Sequence, residues 1–262
     1  MEPIIDFENV YVSYGLTDVL HDINLKIYPN ENWVILGANG SGKSTLLKLF
    51  SNDLYPNAKY PCKKLIFGKE RWDIFDLKNK LGIITNDLHN KFESRSPSAT
   101  AFEVVLSGFH SSLGVFKHHD FSDKEIAQAK QAMEFLDIWS IRQKRVREMS
   151  TGQLRRCIVG RSLIHNPGAF VLDEPTTGLD IKARASFLNT IQRLAKNVPV
   201  ILITHDVSEI FPEITHAALM YNGTLYKTGL INDVLTSENL SIIFDTDIEV
   251  NAKEGRYSVR LL

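Results

Sequence analysis

Cysteine is scarce: the 262 residues hold two, Cys62 and Cys157, far apart and in no metal-ligating spacing. A disulfide framework needs more, so a reducing compartment is the expectation. No stretch approaches 18 uninterrupted apolar residues, so nothing in the sequence reads as a membrane span, and any work at a membrane must go through a partner. The opening residues, MEPIIDFENV, carry charge and lack the apolar core of a secretion signal, which points to the cytoplasm. Charge of either sign is also missing in sum. The formal net charge is -1, so no global field recruits nucleic acid or anionic lipid, although a local basic patch stays open. There is no internal repeat, low-complexity tract or long Gly/Ser linker. What remains is 44% hydrophobic and 23% charged, ordinary for a soluble globular chain of one large domain or two small ones.

The apolar pattern changes character along the chain. Residues 4–12 and 19–27 alternate as strands do, with Tyr14-Gly15 marking a bend between them. Trp33-Val34-Ile35-Leu36 is a short apolar run suited to a buried parallel strand, and a helix is predicted from Lys43 to Ser51. Residues 64–67 and 81–85 supply further strands. Between about 100 and 160, Ala101–Gly108, Asp123–Leu136 and Gln153–Ile164 carry the three-and-four spacing of helices. Strands at Ala169–Leu172 and Val198–Ile203 then flank a helix at Ile181–Leu194. Strands separated by helices indicate a parallel sheet. The tail reads as a hairpin, with Ile248-Glu249-Val250 and Tyr257-Ser258-Val259 around Lys253-Glu254-Gly255-Arg256.

Gly37-Ala38-Asn39-Gly40-Ser41-Gly42-Lys43-Ser44 fits G-x-x-x-x-G-K-[ST], the pattern of a loop that cradles phosphate. Backbone N–H groups must converge on phosphate oxygens, which calls for glycines that reach unusual dihedrals and admit close approach. The helix that follows, through Thr45, points its positive end at the same anion. Lys43 would reach the β- and γ-phosphates, and the Ser44 hydroxyl would bind Mg²⁺. The strand Ala169–Leu172 runs into Asp173-Glu174. A carboxylate at the end of a central strand lies beside the phosphate loop in such folds. Asp173 would hold Mg²⁺, and Glu174 would polarise the attacking water.

With these in place, Met149-Ser150-Thr151-Gly152-Gln153 resembles the L-S-G-G-Q signature of the ATP-binding cassette (ABC) ATPases, and the resemblance extends over nearly the whole chain. It implies ATP as substrate. Tyr14 falls where the family stacks an aromatic on adenine; it also suits simple packing on a hairpin turn. Gly178-Leu179-Asp180 resembles the D-loop, and Asp180 equally suits an N-cap for the next helix. His205 matches the switch histidine at the γ-phosphate. Asn86 stands where glutamine is usual. The resemblance further implies two copies meeting head to tail, so that Ser150, Gly152 and Gln153 of one face the ATP held by the loop of the other. The implied fold is α/β, with a RecA-like P-loop NTPase core and an N-terminal antiparallel β lobe in 1–86 and 163–240. A helical insert subdomain would occupy 87–162 and a C-terminal hairpin 241–262, all within one domain.

Two positions depart from the family pattern. Thr151 replaces the first glycine of the signature and brings a branched side chain to a crowded interface. Asn86 is one methylene shorter than glutamine, which reduces its reach by about 1.5 Å; it would touch the metal through a water, or only in a closed dimer.

The segment 142–161 holds seven Lys and Arg, Arg155 among them, against Glu148 alone. It reads as solvated helix faces with salt bridges, or as a positive rim facing ATP; nucleic acid is not an expected partner. Thr100–Phe109 resembles the stretch of metal-chelate and molybdate-type importer cassettes near the groove that takes a short helix from a membrane subunit. An ATPase subunit peripheral on the cytoplasmic face of the membrane, with separate permease subunits, is therefore the first expectation. A soluble cassette in metallocluster assembly or repair is the second. His118-His119 reads as a polar loop.

Overall fold

The computed structural model describes residues 1–116 and 118–262. Strands β1 (Ile5–Tyr14) and β2 (Thr17–Ile27) pair antiparallel across Gly15, whose φ of 62° is a conformation that glycine enters freely. β3 (Trp33–Leu36) is buried at all four positions and is followed by α1 (Lys43–Phe50). β4 (Lys63–Ile66) joins the far side of β1, giving a three-stranded antiparallel sheet. α2 (Ile74–Lys80) runs directly into β5 (Leu81–Ile84).

Four helices follow: α3 (Asn86–Arg95), α4 (Ala101–Leu106), α5 (Asp123–Phe135) and α6 (Thr151–Leu163). Three of them open on capping boxes, Thr100 with Glu103, Ser122 with Glu125 and Ser150 with Gln153. Each box satisfies two helix-end N–H groups that would otherwise lack partners. Because Ser150 caps α6, that helix starts at Thr151, two residues before the pattern of apolar residues alone predicts.

The chain then returns to strands: β6 (Ala169–Asp173), α7 (Ile181–Ala195), β7 (Val200–Thr204), β8 (His216–Tyr221) and β9 (Thr224–Leu230). Short helices α8 (Ile231–Val234) and α9 (Ser237–Phe244) lead to the hairpin of β10 (Ile248–Lys253) and β11 (Arg256–Leu261).

The central sheet has the order β5-β6-β7-β3-β8-β9, parallel except for the β8–β9 edge. Side chains alternate across it, so its strands feed two cores. Val34, Leu36, Phe170, Leu172 and Leu202 face the helical insert and α7. Trp33, Ile35, Val171, Ile201 and Ile203 face α1 and the antiparallel lobe. Each fully buried large apolar side chain contributes about 1.5–3 kcal/mol, so the sheet is anchored from both sides. The register brings three strand ends level, with Leu36 opposite Thr204 and Asp173 opposite Ile203. Everything that follows these strands therefore emerges at one edge of the sheet. In open α/β sheets that carboxyl edge is where ligands bind.

Candidate functional site

The loop Gly37–Ser44 leaves β3 at that edge and enters α1. Its glycines are demanded by space and by dihedral angle. A Cβ on Gly37 would lie 2.6 Å from both the Met220 carbonyl oxygen and Ser41 Oγ. Gly42 has φ 106°, and a Cβ there would meet Leu20 Cδ2 at 2.8 Å. Lys43 is buried and folds back on the loop, donating to the carbonyls of Gly37 at 2.8 Å and Ala38 at 2.9 Å. Burial lowers its pKa, against the pull of Glu174 and Asp173. Ser41 Oγ is buried and has no hydrogen-bond partner among the described residues, which leaves a donor held at the loop. Ala38 is half-buried, and Asn39, Gly40 and Ser44 are exposed. Thr45 is buried in the first turn of α1. At the end of β1, Tyr14 is exposed, with Lys48 Nζ 3.3 Å from its hydroxyl.

Asp173 ends β6. Its burial, and then the neighbouring Glu174, push its pKa up to about 6, against Lys43. Glu174 follows with φ 45°, a left-handed conformation that is uncommon and costly outside glycine. Its Oε1 lies 2.8 Å from His205 Nδ1 at the end of β7. A carboxylate can only accept, so Nδ1 carries the proton and Nε2 is left for another partner.

The signature residues lie elsewhere. Ser150 Oγ accepts from the Gln153 N–H, and Gln153 Oε1 accepts from the Ser150 N–H and from Lys144. A Cβ on Gly152 would touch Leu179 and Ala183, in ordinary contact at 3.8 Å. Among the described residues, no hydrogen bond or ion pair joins Ser150–Gln153 to Gly37–Ser44. Asp180 caps α7, its Oδ1 accepting from the Ala183 N–H at 2.7 Å.

Two residues that matter here were not singled out by motif. Arg155 is 5% exposed, so it belongs to neither a solvated helix face nor a positive rim. It donates to the carbonyls of Glu174, Pro175 and Thr177 and to Asn86 Oδ1, the last at 2.7 Å. The Asn86 oxygen expected near a metal is thus held by a guanidinium at the start of α3. Glu209, 3% exposed, accepts from the Thr176 N–H and hydroxyl, and burial raises its pKa. Adjacency to the apolar stripe of Leu154, Cys157 and Ile158 is the only sequence signal Arg155 offers. Glu209 has no signal beyond its distance of one helical turn from His205. His118 and His119 pack with His110 and Phe116 in an aromatic cluster. Among the described residues, no group of three or more His, Cys, Asp or Glu is arranged to hold a metal.

The comparisons with known proteins agree with this geometry. The sequence profile of the ABC transporter family matches residues 20–177. The ABC transporter ATP-binding protein YlmA of Bacillus subtilis is 33% identical over 97% of this chain and 95% of its own. The zinc uptake system ATP-binding protein ZurA of Listeria monocytogenes is 29% identical over 98% and 95%. In fold, the chain resembles an ATP-binding cassette of an ABC transporter solved in its ADP conformation. There the TM-score is 0.79, with 22% identity over 94% of this chain and 99% of the other. An inward-facing metal-chelate type ABC transporter gives a TM-score of 0.78, with 21% identity over 99% and 97%. A phosphate loop, an acidic strand end and a histidine level with both, in a fold and sequence of this kind, make the chain a member of the ABC transporter family: its ATP-binding subunit, an ATPase.

Proposed function

We propose that the chain powers an importer, working as a head-to-tail pair of identical subunits beneath separate membrane-spanning permease subunits. The separation of Ser150–Gln153 from the phosphate loop carries this reading. Each copy then supplies half of two sites: the Gly37–Ser44 loop of one and the N-terminus of α6 from the other, whose free N–H groups attract the γ-phosphate. ATP becomes part of the interface, and hydrolysis removes it.

Within one site the roles follow from chemistry. Lys43 leaves the Gly37 and Ala38 carbonyls to meet the β- and γ-phosphates. Glu174 takes a proton from water in line with the γ-phosphate. His205, anchored through Nδ1, offers Nε2 to the γ-phosphate, and Tyr14 stacks on the base. Mg²⁺ fits the donors on hand, because the Ser44 hydroxyl, the Asp173 carboxylate and the Asn86 carboxamide all present hard oxygens. Bound there, it would neutralise charge on the β- and γ-oxygens.

A groove of about 410 Å³ lies between the sheet and the helical insert, lined in part by Phe75, Lys78, Leu88, Lys91, Arg95 and Arg161. It is the place for a short helix from a permease subunit. Phe75 and Leu88 supply apolar anchorage, and Lys78 and Arg95, which pair with no carboxylate among the described residues, suit a helix that carries carboxylates. Similarity to a zinc uptake ATPase favours import; the cargo is selected by other subunits.

Two measurements test the proposal. With ATP, the Glu174→Gln variant should elute as a dimer and the unmodified chain with ADP as a monomer; a monomer in both would refute the shared site. Purification from membranes should recover a polytopic protein with the chain, and recovery of soluble partners alone would refute the transport role.

A further inference from the structure

Arg155 is the most heavily engaged cation at the edge of the site. It projects from the first turns of α6, the helix whose N-terminus carries Ser150 and Gly152. One side of its guanidinium donates to the carbonyls of Glu174 and Pro175. The other donates to Thr177 O at 2.6 Å and to Asn86 Oδ1 at 2.7 Å. One side chain therefore joins three segments: the signature helix, the loop after the catalytic carboxylate, and the first residue of α3. A guanidinium has donors only, so the Asn86 oxygen, and not its NH₂ group, must face it. That oxygen is the atom Asn86 has to offer Mg²⁺. Two cations drawing on one carboxamide oxygen repel each other at close range, and the low-dielectric setting of a buried guanidinium strengthens the repulsion. Asn86 is shorter than glutamine, so it has little length with which to serve both.

We infer that Arg155 is a positioning residue that competes with Mg²⁺·ATP for the Asn86 carboxamide oxygen, so that loading the nucleotide site loosens the tie between α3 and the signature helix. The inference rests on the proposed role of Asn86 toward the metal. The contacts to Glu174, Pro175 and Thr177 survive the exchange, so α6 stays attached to the core while its hydrogen bond to Asn86, at the start of α3, is broken. The nucleotide state of one site is in this way transmitted, within one chain, to the helix that serves the other.

The test is a double-mutant cycle read on nucleotide binding, without turnover. Affinity for a fluorescent N-methylanthraniloyl ATP is measured in EDTA and in Mg²⁺, and the ratio of the two dissociation constants is the Mg²⁺ factor. Arg155→Gln frees the Asn86 oxygen and should raise this factor about tenfold, the size of one lost charged hydrogen bond. In an Asn86→Ala background the same change should leave the factor within about twofold, because the contested oxygen is gone. A purely structural role for Arg155 would alter binding equally with and without Mg²⁺, and equally in both backgrounds. Arg155→Lys keeps the cation but loses the fork; it should fold even where Arg155→Gln melts early, and should raise the factor by a smaller amount. An unmoved Mg²⁺ factor in both Arg155 variants overturns the inference, as does an equal rise with and without Asn86. A chain that binds the probe in neither condition would instead refute the nucleotide-site assignment itself.

Discussion

Glu174 Oε1 and His205 Nδ1 lie 2.8 Å apart, linking the ends of two adjacent parallel strands at the edge of the sheet where the Gly37–Ser44 loop leaves β3. The residues are 31 positions apart in the chain, and the sheet register sets the pairing: Asp173 is opposite Ile203, so the next residues on β6 and two places on along β7 meet. The backbone of Glu174 is held at φ 45° with its N–H donating to the Ile203 carbonyl at 2.8 Å. A strained residue held on both its backbone and its side chain is pre-set in one orientation.

That orientation matters only if the carboxylate is a base. Glu174→Gln preserves shape and the hydrogen bond with His205 but cannot take a proton. Its turnover should fall about 10²–10⁴-fold while ATP affinity stays within a few-fold of the parent. Phosphate-release assays and equilibrium binding on the same preparation separate the two effects. Undiminished turnover would remove Glu174 from the role.

The glycine at the head of the loop makes a sharper prediction. A Cβ at residue 37 would press on the Met220 carbonyl and on Ser41 Oγ, both at 2.6 Å. The carbonyl belongs to a strand paired with β3 and cannot swing away. Gly37→Ala should therefore lose about 1–3 kcal/mol of stability to overpacking. It should also weaken ATP binding at least tenfold, because Ser41 and the Lys43 carbonyl cradle shift together. Thermal unfolding and nucleotide titration give the two numbers, and an unchanged melting temperature would contradict the crowding.

Much of this was written in local sequence. Trp33–Leu36 stands as a strand over the residues its apolar run marks, and Lys43–Phe50 as the helix after the loop. The capping partners of α4, α5 and α6 are three residues apart, a local spacing that lies outside the apolar pattern. The parallel edge follows from alternating strands and helices. Other elements were illegible for physical reasons. β9 pairs only at the sheet edge, so Thr224–Leu230 shows no alternation of buried and exposed positions. α2 and α8 are too short for a helical period to emerge. Arg155 and Glu209 look like ordinary surface charges, and only tertiary contacts across 22 and 33 residues reveal them as buried parts of the site. The distances in sequence between such partners carry no local signal.

The groove between α2, α3 and α6 allows a test away from the chemistry. Phe75 is 57% exposed on its rim, and its removal disturbs no core. Aromatic anchors dominate such interfaces, so Phe75→Ala should weaken association with the proposed permease subunits about tenfold. Basal ATP hydrolysis by the isolated chain should stay unchanged. Co-purification from membranes, quantified against the parent, measures the loss. Equal recovery of both proteins would place the permease contact elsewhere.

Lys64 supplies a prediction about pH. It lies in β4, 8% exposed, with Nζ bonded to Asn52 Oδ1 and 5.1 Å from the centre of the Tyr55 ring. No carboxylate pairs with it among the described residues, and burial lowers its pKa from 10.5 to about 8. The folded chain thus holds this proton less tightly than the unfolded chain. Below pH 8 both forms carry the charge, and folding bears the full desolvation penalty. Between about pH 8 and 10.5 the unfolded chain binds more protons, so stability rises with pH across that window and levels off above it. Lys26 and Lys63 act in the opposite direction, since Asp6 and Glu8 raise their pKa values, which makes the raw pH profile a sum. Lys64→Met removes the one contribution and leaves the others. The urea-unfolding free energy of the variant minus that of the parent should therefore shrink by about 1–3 kcal/mol from pH 8 to pH 10. A difference that stays flat over this range would mean that Lys64 remains charged in the fold.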